Sequence, residues 1–98
     1  MKTLLIDDVR DVGNPDIIAR NYQSGIIMLS TAHWDLLLLD HDLASYDEHG
    51  KEKTGYDIMC WLEQYPERLP KKIELVTSNP VGRKKMQTVI DKLYKGKK

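Results

Sequence analysis

The chain is nearly without cysteine: Cys60 is the only one in 98 residues, which excludes an internal disulfide. It also lacks net charge, with Lys plus Arg and Asp plus Glu at 15 each. That balance removes any global electrostatic ground for binding duplex nucleic acid or a membrane surface. No apolar run is long enough to span a bilayer, and none has the form of a signal-peptide core, so the expected compartment is the cytoplasm. A second cysteine and a histidine pair at metal spacing are both missing, which argues against a structural zinc site. Repeats and low-complexity stretches are missing too, apart from a lysine-rich end at 95–98 that is expected to fray into solvent. Cys60 falls within an apolar helical stripe and reads as a buried structural thiol rather than a nucleophile.

What is present is a chain of single-domain size, 1–98, with 41% hydrophobic and 31% charged residues, the balance of a globular fold. Its most informative stretch is Asp35 to Leu43, DLLLLDHDL. A strand with one buried face would alternate, so the unbroken run Leu36 to Leu39 predicts an interior parallel strand. Asp40, His41 and Asp42 then fall just outside its carboxyl end, where open α/β sheets place their ligands. Thr3 to Ile6 is a second apolar run, and it too ends in acids, Asp7 and Asp8.

Between these runs, Asp16 to Arg20 is the better candidate for a strand. A strand at 26–29 would leave too few residues to cross over to the leucine run. Asn21 to about Ala32 is then the crossover helix, with Tyr22, Ile26 and Leu29 on one face and Gly25 as a weak point. Only Asp7 to Pro15 separates the first two strands, so a helix there must be vestigial or absent. Ala44 to Lys53 reads as a long polar loop of functional or mobile character. Thr54 caps a helix carrying Tyr56, Ile58, Met59, Leu62 and Trp61. Ile73 to Thr77 forms an edge strand, because Glu74 interrupts it. Ser78, Asn79 and Pro80 open a last helix with Val81, Met86, Val89, Ile90 and Leu93 as core positions. Trp34 and Trp61 read as core residues, and His33 and His49 as solvated. The order β, β, α, β, α, β, α predicts a four-stranded, mainly parallel sheet with helices on both faces.

Three strand ends therefore converge on one rim. Asp7, Asp8, Asp40 and Asp42 form a carboxylate set suited to Mg²⁺, which takes a few carboxylates together with waters and phosphate oxygens. Unbalanced carboxylates repel, so their convergence implies a bound cation, a basic partner or a raised pKa. Ser78, Asn79 and Arg83, beside the free N–H groups of the last helix, are candidates to bind phosphate. Histidine is the side chain that ordinarily titrates nearest neutral pH, so His41 is a candidate for proton transfer beside Asp40.

An acidic pair after the first strand, an aspartate ending the third and a hydroxyl residue ending the fourth resemble a response-regulator receiver domain. IDDVR at 6–10, WDLLLLDHDL at 34–43, TGYDIMCWL at 54–62 and SNPVGRKKM at 78–86 resemble more closely a shortened relative, the cyclic-phosphate processing receiver domain family. That resemblance implies an α/β fold of flavodoxin-like, three-layer type that has lost its last strand and helix. It also implies an acidic metal pocket and a role with cyclic or otherwise phosphorylated nucleotides, often in conflict between bacteria and phages. The lysine that ordinary receivers carry on a fifth strand has no counterpart, and Arg83 is the candidate to replace it. Three functions follow as expectations: a Mg²⁺-dependent phosphoesterase or nucleotide-binding domain, a non-catalytic protein-binding derivative or inhibitor, and a phosphoacceptor receiver.

Overall fold

The structure, a computed structural model, describes residues 2–95; beyond Lys95, the lysine-rich end lies outside the described residues. The chain runs β1 (Thr3–Ile6), β2 (Ile17–Ala19), α1 (Tyr22–Thr31), β3 (Leu36–Leu39), β4 (Ser45–Tyr46), β5 (Glu52–Lys53), α2 (Gly55–Gln64), a single 3-10 turn (Pro66–Arg68), β6 (Lys72–Leu75) and α3 (Pro80–Tyr94). β2, β1, β3 and β6 form one sheet in that order, parallel throughout. The expected α/β architecture with four parallel strands is what the chain adopts.

β1 and β3 occupy the centre, where every residue but the intermediate Leu36 is buried. Leu4, Leu5, Ile6, Leu37 and Leu39 are fully buried, and each such side chain contributes about 1.5–3 kcal/mol on leaving water. The edges are β2, which leaves Ile17 and Ile18 partly exposed, and β6, which exposes Lys72 and Glu74. Arg68 ties α1 to the start of β6 by donating to the Leu29 and Ala32 carbonyls at 2.9 and 3.0 Å.

All three helices contribute to one core. Leu29 of α1, Ile58, Met59 and Leu62 of α2, and Met86, Val89 and Ile90 of α3 pack with Leu4, Ile6, Leu37, Leu39 and Ile73. These sheet residues share one face, since side chains alternate along a strand. α1 touches α2 and α2 touches α3, so the helices form a continuous layer. The expectation of helices on both faces is therefore corrected: the third layer of the sandwich is the connection 7–16. Leu5 and Leu38 point to that side and are still buried, because the connection folds over them with Gly13 directly against Leu38. Gly13 (φ 73°) and Asn14 (φ 50°) take left-handed backbone, which lets so short a segment turn back. It is pinned at its end by Asp16, whose N–H donates to the Thr3 carbonyl at 2.9 Å while its carboxylate accepts from Thr3 N at 2.7 Å.

Three details differ from expectation. The stretch 44–53 folds into an antiparallel hairpin, β4 with β5, its turn held by Asp47 accepting from His49 N and Lys51 N at 2.9 Å each. Val81 is 69% exposed, because Gly82, Met86, Val89 and Ile90 set the buried stripe of α3 and Val81 lies one position off it. Cys60 is only half-buried, and burial pushes its thiol up from the ordinary range, which disfavours the reactive thiolate. Trp34 is buried and Trp61 packs at the core's margin, while His33 and His49 are exposed. Thr54 caps α2 in a full capping box with Asp57.

Candidate functional site

The in-register pairing of Ile6 with Leu39 makes the next residues of β1 and β3 neighbours above the sheet. The last ladder bonds are made by the site residues themselves. Asp7 N donates to the Ala19 carbonyl at 3.1 Å and Asp40 N to the Ile6 carbonyl at 3.0 Å. As a result Asp7, Asp8 and Asp40 each offer an oxygen within 4.8 Å of the others. Asp7 is fully buried, Asp40 is buried and Asp8 is half-buried, so the group opens to solvent on the Asp8 side. Asp42 is not part of this group. It is exposed, and its carboxylate faces the His41 ring, Oδ1 to Nδ1 at 2.9 Å.

Asp7 is held by its own turn, since Oδ1 accepts from Val9 N at 3.1 Å and Arg10 N at 3.0 Å. This Asx geometry turns the chain so that the Arg10 side chain comes back over the acids. Nε stands 3.1 Å from Asp7 Oδ2 and an Nη 3.1 Å from Asp40 Oδ1. Arg20, just after β2, fixes the same loop by donating to the Arg10 carbonyl at 2.9 Å and pairing with Asp11. Arg10 is the residue beside the acids that sequence reasoning missed, although Asp-x-x-Arg in a turn-forming segment was a signal that it would meet Asp7 again.

Asp7 Oδ2 remains without a hydrogen bond despite complete burial; the Arg10 Nε–H beside it is out of line. A buried oxygen left this way calls for a partner such as an ion. Three carboxylates from the ends of two adjacent strands, one of them with a buried oxygen that lacks a hydrogen bond, could hold a metal ion. Asp40 carries the electrostatic strain of the group. Burial, followed by repulsion from Asp7, pushes its carboxyl above the usual range, against the lowering effects of the His41 N–H, Thr77 and Arg10. A raised folded-state pKa means that Asp40's contribution to stability is present at low pH and lost as pH rises through that value.

The third strand end is organised around α3. Thr77 is buried, and its Oγ1 accepts from Asn79 N at 3.0 Å. Asn79 caps the helix by accepting from Gly82 N at 3.0 Å. Ser78 is exposed. Arg83 turns away from the carboxylates and donates to the Thr77 and Leu75 carbonyls at 3.0 and 3.2 Å. The cation that meets the acids is thus Arg10, not Arg83. The His41 ring lies against the bare Cα of Gly82, with Nδ1 also 3.4 Å from Asn79 Nδ2. Asp42 needs Nδ1 to donate and Asn79 needs it to accept; the shorter contact to Asp42 favours the Nδ1–H tautomer, which leaves Nε2 as the basic nitrogen.

A family model described as the cyclic-phosphate processing Receiver domain matches residues 2–92. No curated protein and no solved structure matches the chain.

Proposed function

We propose, since this chain belongs to the cyclic-phosphate processing receiver domain family, that its acidic rim is a Mg²⁺ site at which a cyclic or otherwise phosphorylated nucleotide is bound and hydrolysed. The observation that carries this reading is the convergence of Asp7, Asp8 and Asp40, with Asp7 Oδ2 buried, ion-paired to Arg10 and without a hydrogen bond. Asp7, Asp8 and Asp40 would hold the ion, which when bound supplies positive charge for the phosphate oxygens. His41, oriented by Asp42, is the group to move a proton at Nε2, a base-and-orienter arrangement of a common kind. Asp42 serves in this reading as a positioning residue rather than a metal ligand. Ser78 and the first turn of α3 offer donors to the phosphate side.

The test is thermal melting with added Mg²⁺. At ten times Kd, a ligand that binds only the folded state adds about 1.4 kcal/mol, a rise of about 5–10 °C for a domain of this size. Asp40→Asn should melt no lower than wild type without metal, because it removes a charge that burial disfavours, and it should lose the Mg²⁺ response. A wild type indifferent to Mg²⁺ would end the metal reading. Arg10 supports the competing reading of a non-catalytic, protein-binding derivative, because a guanidinium already pairs with Asp7 and Asp40. That reading expects Asp40→Asn to retain its protein partner.

A further inference from the structure

We infer that Arg10 is a displaceable counter-ion, which gives up Asp7 and Asp40 when a divalent cation binds and then holds the phosphate that accompanies the metal. The inference rests on the metal reading above and assigns this chain's own arginine a second position within that site.

The argument begins with charge. Three carboxylates against one guanidinium leave two negative charges in the group, so Arg10 reduces the repulsion without ending it. Its contacts are also incomplete. The Nη to Asp40 Oδ1 contact is a hydrogen bond at 3.1 Å, but the Nε at 3.1 Å from Asp7 Oδ2 does not form one. A guanidinium is strongest when it binds one carboxylate with two parallel N–H groups. Here it is divided between two carboxylates and satisfies neither in that way.

Exposure supplies the second half. The Arg10 side chain is 40% exposed, whereas that of Asp7 is 0%. The acids are fixed by the sheet, and the arginine reaches them from the solvent side on a flexible stem. Freed from the carboxylates, its fork stays tethered at the mouth of the site through the backbone, because Asp7 still holds Arg10 N and Arg20 still holds the Arg10 carbonyl. The planar donor array then matches two oxygens of a phosphate. Among the described residues the other arginines are engaged elsewhere: Arg20 pairs with Asp11, Arg68 donates to the Leu29 and Ala32 carbonyls, and Arg83 donates to the Leu75 and Thr77 carbonyls. Metal and anion should therefore bind cooperatively through Arg10, each favouring the state that suits the other.

Calorimetric titration of Mg²⁺ into the full chain, with and without inorganic phosphate, tests this for wild type, Arg10→Gln, Arg10→Lys and Asp40→Asn. Without phosphate, Arg10→Gln should bind Mg²⁺ about tenfold tighter than wild type, equivalent to removing a competitor worth about 1.4 kcal/mol. Phosphate should tighten Mg²⁺ binding by wild type about fivefold or more and leave Arg10→Gln unmoved. Arg10→Lys keeps the charge but not the fork, so it protects the fold while losing most of the phosphate gain, and it carries the test if Arg10→Gln does not fold. Equal Mg²⁺ affinity in wild type and both Arg10 variants, or an undiminished phosphate effect in them, overturns the inference while the metal site stands. If neither wild type nor the Arg10 variants take up Mg²⁺, or if Asp40→Asn binds it like wild type, the metal reading itself fails.

Discussion

Gly55→Ala is expected to destabilise the domain by about 3 kcal/mol, at the upper end of what overpacking costs, and to disturb the acidic rim at the same time. A Cβ at residue 55 would drive into the Asp40 carbonyl oxygen and stand 2.8 Å from the Met86 methyl. The methyl can move; the carbonyl oxygen belongs to the backbone at the end of β3. Gly55 N also donates to the His41 carbonyl at 2.8 Å, so α2 begins in direct backbone contact with the strand tip that carries Asp40 and His41. The first turn of α2 must retreat, or the tip must shift. Denaturant unfolding of the variant should show the loss in midpoint with an unchanged slope, and any Mg²⁺ response should weaken beyond what the lost stability explains. A loss below about 1 kcal/mol would mean that the helix start is free to adjust.

Gly13→Ala is the second large effect, expected at about 2–3 kcal/mol. Part of it comes from the backbone, since φ is 73° and a left-handed residue with a Cβ costs about 1–2 kcal/mol. The remainder comes from collision with the Leu38 side chain. The two parts separate in a double-mutant cycle with Leu38→Ala. The space opened at Leu38 relieves the collision but not the backbone strain, so the double variant should lose about 1 kcal/mol less than the sum of the single losses. Strict additivity would show that the 7–16 connection does not rest on the sheet, and would remove the third layer of the fold.

How far the fold could be read from the chain follows from how local each signal is. Leu36 to Leu39 identified an interior strand because a fully apolar run has no other stable place in a parallel sheet. Thr54 marked a helix start because a cap is a contact over three residues. Asp7, Asp8 and Asp40 could be placed on one rim because topology alone decides which strand ends are adjacent. Gly25 looked like a defect in α1, but a Cβ there would stand 2.8 Å from the Ile6 Cδ1, and the helix needs that bare surface to lie close to β1. The cover over Leu5 and Leu38 could not be read, since it depends on left-handed backbone at Gly13 and Asn14 and on a contact between distant residues. Val81 was misplaced because helical periodicity tolerates a shift of one position until a neighbouring sheet chooses the stripe. Asp42 and Asp40 differ by two residues and are chemically identical. Beyond the last ladder bond no alternation rule separates them, and only the structure shows one facing the acids and the other facing His41.

Because the amides of Asp7 and Asp40 make the last β1–β2 and β1–β3 rungs, bonded to the Ala19 and Ile6 carbonyls, the carboxylates cannot separate without breaking those rungs. Hydrogen–deuterium exchange at these two amides should accordingly be as slow as at Leu5 and Leu38, set by opening of the whole domain rather than of a surface loop. Exchange at Val9 and Arg10, bonded only to the Asp7 side chain, should be far faster. The site would then consist of a clamp that is fixed on the exchange timescale and an arm that is not, with the boundary between them falling inside the four-residue segment Asp7 to Arg10.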